Sequence, residues 1–159
     1  MDQGLLTVIE VLLRMALGLR ILYSGVSNVL RWPHAVGTTR IAFPKGATFF
    51  GFVGVALMVL GGIGVTLGLQ TQIAALVIAI FLIPTFKIQW HRLRALPGTV
   101  EKVTSALSEK EPRDVVRQLG RHAIHAYEIG WQNNLILLLV ALLFSVRGSV
   151  AFGLDNLFK

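Results

Sequence analysis

The sequence predicts an all-α fold: a bundle of four transmembrane helices with a cytoplasmic amphipathic helix between the third and the fourth. Three observations carry this reading. Hydrophobic residues make up 54% of the 159 and charged residues only 14%, too little polar surface to coat a soluble sphere of this size. The apolar residues collect into four runs near the ~20 residues that a ~30 Å hydrocarbon core requires of a helix. These runs are continuous rather than alternating, which excludes an outer-membrane barrel. The chain 1–159 therefore reads as a single integral membrane domain.

The first helix is expected over residues 5–30. The stretch lacks a basic start and a small-residue cleavage site, so it is read as a mature helix rather than a removable signal. The second, residues 48–69, contains no charge at all. The third, residues 71–90, follows it so closely at Gln70 that the two must form an antiparallel hairpin. The last has an apolar core of only 12 residues, Leu135 to Val146, too short to span alone. It recruits residues upstream to complete the span over 129–147, which sets Gln132, Asn133 and Asn134 at or inside the membrane boundary.

Between the third and fourth helices lies an extramembrane segment, residues 91–128. Its Leu96-Pro97-Gly98 reads as a turn, and Ser108 to Glu111 has capping-box spacing with Pro112 in the first turn. Val116, Leu119, Ala123 and Ala126 then recur on one face, predicting an amphipathic helix along the membrane surface that feeds into the fourth span. Lysines and arginines concentrate in this segment and in the loop carrying Arg31, Arg40 and Lys45. Positive-inside counting puts both on the cytoplasmic side of an inner membrane of bacterial or archaeal type, with both termini extracytoplasmic. The net charge of +7 thus describes a face against anionic lipid. Nucleic acid is disfavoured, because the basic residues alternate with Glu101, Glu109, Glu111, Asp114 and Glu128 and lack an aromatic platform.

The first helix carries two arginines inside its apolar run. Glu10, Arg14 and Gly18 share a face at four-residue spacing, with Gly25 and Asn28 close to the same stripe. Glu10 to Arg14 is the favourable order for a structural ion pair, and this small, polar face suits the bundle interior. Arg20 stands about 120° away around the helix. A central arginine costs ~2.5–3.5 kcal/mol on the insertion scale, so it needs compensation: from snorkelling, from backbone carbonyls or the amides of Asn133 and Asn134, from a bound anion, lipid headgroup or quinone carbonyl, or from a partner's acid. In the second helix Gly61, Gly62, Gly64 and Gly68 are read as packing surface, not as a phosphate loop, since no strand precedes them.

The chain has no cysteine, which excludes thiolate nucleophiles, disulfide exchange and cysteine-bound cofactors. A redox role would need a bound cofactor, a quinone or a partner's chemistry. His122, His125 and Glu128 are each three apart, and with His91 they could approach one metal. The stronger reading of the same residues is a solvated interfacial helix.

The runs "LLRMALGLRILYSGVSNVL", "LGGIGVTLGLQTQIAALVIAIFLIPTF", "NNLILLLVALL" and "FGLD" resemble the DoxX family of four-helix membrane proteins and, more remotely, the Surfeit-locus cargo receptors. The resemblance places family positions at Arg14, at Ser24 and Gly25, at Gly61 and Gly62, at Gly68 and Leu69, at Asn134 and Leu135, and at Leu154 and Asp155. The chain departs from the family pattern at Asn28, where a lysine is usual, at Met58, where a glutamate is frequent, at Gln72, and at Arg20, which is normally apolar. The resemblance implies a membrane subunit of the thiosulfate:quinone oxidoreductase type or a component of another membrane redox assembly. In such a role Arg14 and Arg20 would flank a quinone or sulfur oxyanion, with Tyr23 and Asn134 as hydrogen-bond partners.

Two function classes follow. One is a small accessory or anchoring subunit, partnered by lipid and by other membrane subunits or further copies of itself. The other is a quinone-linked oxidoreductase subunit with an arginine-lined pocket. Anion transport would fit the buried charge but not the absence of internal duplication and broken helices.

Overall fold

A computed structural model describes residues 2–149 and 152–156. Its described residues form five α-helices in the order α1 (Gln3–Leu30), α2 (Trp32–Ala42), α3 (Ala47–Leu67), α4 (Thr71–Ala106) and α5 (Lys110–Arg147), followed by a 3-10 turn, Leu154–Asn156. Three of them, α3, α4 and α5, are long and apolar enough to cross a membrane. α1 has the length, 28 residues, and carries Glu10, Arg14 and Arg20 within it.

α1 and α3 meet backbone to backbone. A Cβ on Gly18 would lie 2.7 Å from the Thr66 nitrogen and 2.9 Å from the Gly62 carbonyl, and one on Gly62 would lie 2.8 Å from the Leu22 nitrogen. Gly25 rests in the same way on Met58 and Val59. Small residues at these positions let two helices approach where lipid, as apolar as leucine, supplies no drive to associate. The stripe read from the sequence, Arg14 with Gly18 and Gly25, is indeed buried, and α1 lies along a charge-free helix.

α3 turns into α4 through Gly68, at φ +66°. The Leu69 N–H returns to the Gly64 carbonyl at 2.8 Å, closing the helix end in the manner of a Schellman motif. Gly61 and Gly64 then pack on Ile78 and Ala74 of α4. The core gathers Leu17 and Ile21 of α1, Met58 and Val65 of α3, Ile78 and Leu82 of α4, and Ala141 and Phe144 of α5.

Several sequence expectations are corrected. The basic loop after α1 contains a helix, α2, which starts with Pro33 in its first turn and buries Ala35 and Ala42. The helix of the third span does not stop at residue 90: α4 is 36 residues long and runs through Pro97 and Gly98 to Ala106. The turn lies instead at 107–109, where Arg113 Nη2 donates to the Leu107 carbonyl at 2.6 Å, and Glu109, not Ser108, is the N-cap of α5. The amphipathic segment does feed into the fourth span, but as part of one helix of 38 residues that packs on α4 at Gly120, not as a separate surface helix. At 1.5 Å per residue α4 and α5 reach ~54 and ~57 Å, far beyond a ~30 Å hydrocarbon core, so they project together as a hairpin. Tight packing holds it: a Cβ on Gly120 would lie 2.6 Å from a Val100 methyl, and Thr104 is buried beside it. That pairing outweighs the helix-breaking tendency of Pro97.

Candidate functional site

Two polar assemblies stand out, one at each half of the bundle. At the end formed by the start of α1, the α3–α4 turn and the end of α5, the segment after α5 folds back and is clasped. Arg14, buried to 3% exposure, donates from Nη1 to the Ser149 hydroxyl and from Nη2 to the Phe152 carbonyl at 2.8 Å. Gly153 lies against Gly68 so closely that a Cβ on either would collide with the other's backbone or with Arg14. Asp155 then accepts from the backbone N–H of Gln70 at 2.6 Å and from the N–H and hydroxyl of Thr71, both at 3.0 Å. It thus supplies α4 with an N-terminal cap from 84 residues away, setting a carboxylate at the positive end of the helix dipole. Arg147 faces Glu10 at 3.6 Å at the same end. This clasp is structural in character. Asp155→Ala should release the segment, and hydrogen exchange at the Gln70 and Thr71 amides should accelerate at least tenfold, the equivalent of ~1.4 kcal/mol, while exchange inside the α3 core stays unchanged.

The other half of the bundle encloses a cavity of about 300 Å³ to which all five helices contribute. Its walls are Ile21, Val55, Met58, Phe81, Leu82 and Leu137, and its polar groups include Arg20, Asn28, Gln89, Arg92, Tyr127 and Asn134. The lining contains two arginines and no carboxylate, so its field is positive. Arg92 is fixed across the end of the cavity: Nη2 donates to Thr38 Oγ1 at 2.6 Å and Nη1 to the Tyr127 hydroxyl at 3.0 Å. Asn134 Nδ2 donates to Thr85 Oγ1 at 3.0 Å, and that hydroxyl in turn donates to the Leu82 carbonyl. Gln89 Oε1 is buried and has no hydrogen-bond partner among the described residues. Arg20 lies at the cavity's rim, exposed on its outer side, with no hydrogen bond or ion pair among the described residues.

The residues singled out in the sequence divide between these places. Arg20, Asn28 and Asn134 line the cavity together. Arg14 belongs to the clasp at the other end, and Tyr23, 72% exposed, points away from both. Glu10 faces Arg147, and Arg14 bonds to the segment after α5. His125 meets Glu128 at 3.6 Å, with both side chains exposed, and among the described residues no three such groups converge to hold a metal ion. Sequence reading missed Gln89, Arg92 and Tyr127. Arg92 and Tyr127 were legible only as members of the basic segment 91–128, and a hairpin that returns Tyr127 beside Arg92 was the missing signal.

The family model of DoxX matches residues 9–92, from the first turns of α1 into α4. The chain belongs to the DoxX family. Among curated proteins and among solved structures, none matches it at a significant level. Within the matched residues, Arg14 and Gly68 border the clasp, where each lies against Gly153. Asn28 and Met58, two of the departures read in the sequence, touch each other, with Asn28 Nδ2 3.6 Å from Met58 Sδ. Neither side chain is charged, so this side of the cavity is neutral, and Arg20 and Arg92 are the charged groups among the described lining residues.

Proposed function

We propose that this DoxX protein is a small accessory subunit of a larger membrane redox complex, and that it holds the head of a quinone in the cavity while partner subunits carry the electron-transfer groups. The cavity is the observation that supports the reading: apolar walls with a few convergent hydrogen-bonding groups and an uncompensated positive field suit a flat carbonyl-bearing ring. Its volume of about 300 Å³ lies at the lower end for ligand sites, enough for a substituted ring with its isoprenoid tail left in lipid. Arg20, Asn28 and the amide of Asn134 would hold the carbonyl oxygens, while Arg92, tied to Thr38 and Tyr127, closes the hairpin side to water. A bound quinone accepts and returns electron pairs; the chain's own groups bind, orient and exclude water.

In this reading α1 is the fourth span, because it lies along the charge-free α3 and must share its depth. The clasp and both chain ends then face the extracytoplasmic side, and the α4–α5 hairpin faces the cytoplasm. Purification in mild detergent tests the proposal. Wild type is expected to migrate with other subunits on a native gel and to yield quinone on organic extraction. Arg20→Leu and Asn134→Leu together should lower the extracted quinone at least tenfold without changing assembly. Migration alone would overturn the accessory role, and undiminished quinone in the double variant would overturn the site.

A further inference from the structure

On α4, Ile73, Leu76, Ile80 and Ile83 are all exposed and recur at three- and four-residue steps, forming one outward stripe. Continuing the same stripe gives Lys87, Trp90 and Arg94, so an aliphatic track ends in two cations with an indole between them. Arg94 stacks over the Trp90 ring, 4.8 Å from its centroid. Across from them α5 contributes Trp131, which meets Phe86 edge to face with centroids 6.2 Å apart. Phe86, Lys87, Trp90 and Trp131 together line a surface notch. Lys87 Nζ is also 3.5 Å from the Ala42 carbonyl, which holds the ammonium at the end of α2 and beside the notch.

We infer that this notch binds the headgroup of an anionic phospholipid whose acyl chains run along Ile83, Ile80, Leu76 and Ile73. Depth supports it: Thr71 to Trp90 is ~30 Å of helix, one hydrocarbon thickness, so the notch falls where a headgroup lies. Composition supports it too, since tryptophan marks the membrane–water boundary and each cation there favours anionic over neutral lipid. A soluble phosphate would use the cations but not the aliphatic track, so the occupant is a lipid.

Native mass spectrometry of the delipidated protein in detergent tests the site, using phosphatidylglycerol and phosphatidylcholine of the same acyl chains. Wild type should bind phosphatidylglycerol about tenfold more tightly, as expected of two interfacial cations. Lys87→Gln with Arg94→Gln should bring the ratio close to one, whereas Lys102→Gln with Lys110→Gln, on the distal hairpin, should leave it intact. Arg94→Gln alone, which spares the Ala42 contact, should lower the ratio about threefold and shows that a change is not due to a displaced α2. Equal binding of the two lipids by wild type, or a ratio unmoved by Lys87→Gln with Arg94→Gln, overturns the site. Displacement of phosphatidylglycerol by an equal concentration of glycerol phosphate overturns the assignment to lipid.

Discussion

Arg14→Leu should lower the melting temperature of the detergent-solubilised protein by on the order of 10 °C. The guanidinium makes charge-assisted bonds to the Ser149 hydroxyl and the Phe152 carbonyl, each worth ~1.5–3 kcal/mol because the donor is charged. A loss of ~3 kcal/mol in a chain of this size corresponds to that shift. Arg14→Lys should recover little, since one ammonium cannot reproduce the fork that serves both acceptors. Intrinsic-fluorescence melting in detergent checks both variants. A loss under 2 °C for the leucine variant would show that the clasp is incidental to the bundle.

The second large effect concerns the glycine seam. Gly62→Val would drive a side chain into the α1 backbone at Leu22 and Gly18, where even a Cβ would sit 2.8 and 3.0 Å from main-chain atoms. Backbone cannot swing aside as a side-chain tip can, so α1 and α3 must separate. Overpacking typically costs ~1–3 kcal/mol, and at a backbone contact the upper end applies. The separation would also open the cavity between Asn28 and Met58. The comparison is Gly98→Ala, on the exposed hairpin, where among the described residues nothing beyond the helix's own adjoining backbone lies within 4 Å of the added carbon. It should be neutral or stabilise by up to ~1 kcal/mol through helix propensity. Melting of the two variants side by side distinguishes steric packing from a general intolerance of glycine substitution.

What the sequence discloses depends on whether a signal is local. The α3–α4 hairpin was legible because a charge-free run and a glycine turn are properties of neighbouring residues. α2 was not, because Trp32–Ala42 mixes basic and apolar residues without a clear period, although Pro33 in its first turn is a start signal. Pro97-Gly98 has every local mark of a turn and is helical because Val100, one turn on, finds Gly120 of α5 opposite it. The cavity was half legible: Arg20, Asn28 and Asn134 are conspicuous as polar residues in apolar runs, whereas Gln89, Arg92 and Tyr127 lie where polarity is ordinary. The clasp joins positions 135 and 138 residues apart, a distance no periodicity spans.

That separation has a consequence for biogenesis. The chain is made from its first helix onward, and α1 is synthesised long before its partners exist. Until residues 149–155 have been synthesised, Arg14 has neither the Ser149 hydroxyl nor the Phe152 carbonyl, and the start of α4 lacks the Asp155 carboxylate. The clasp is therefore the last part of the bundle to close. A nascent chain stalled or cut before residue 149 carries a buried cation without these ligands, a defect that distinguishes an unfinished molecule from a finished one.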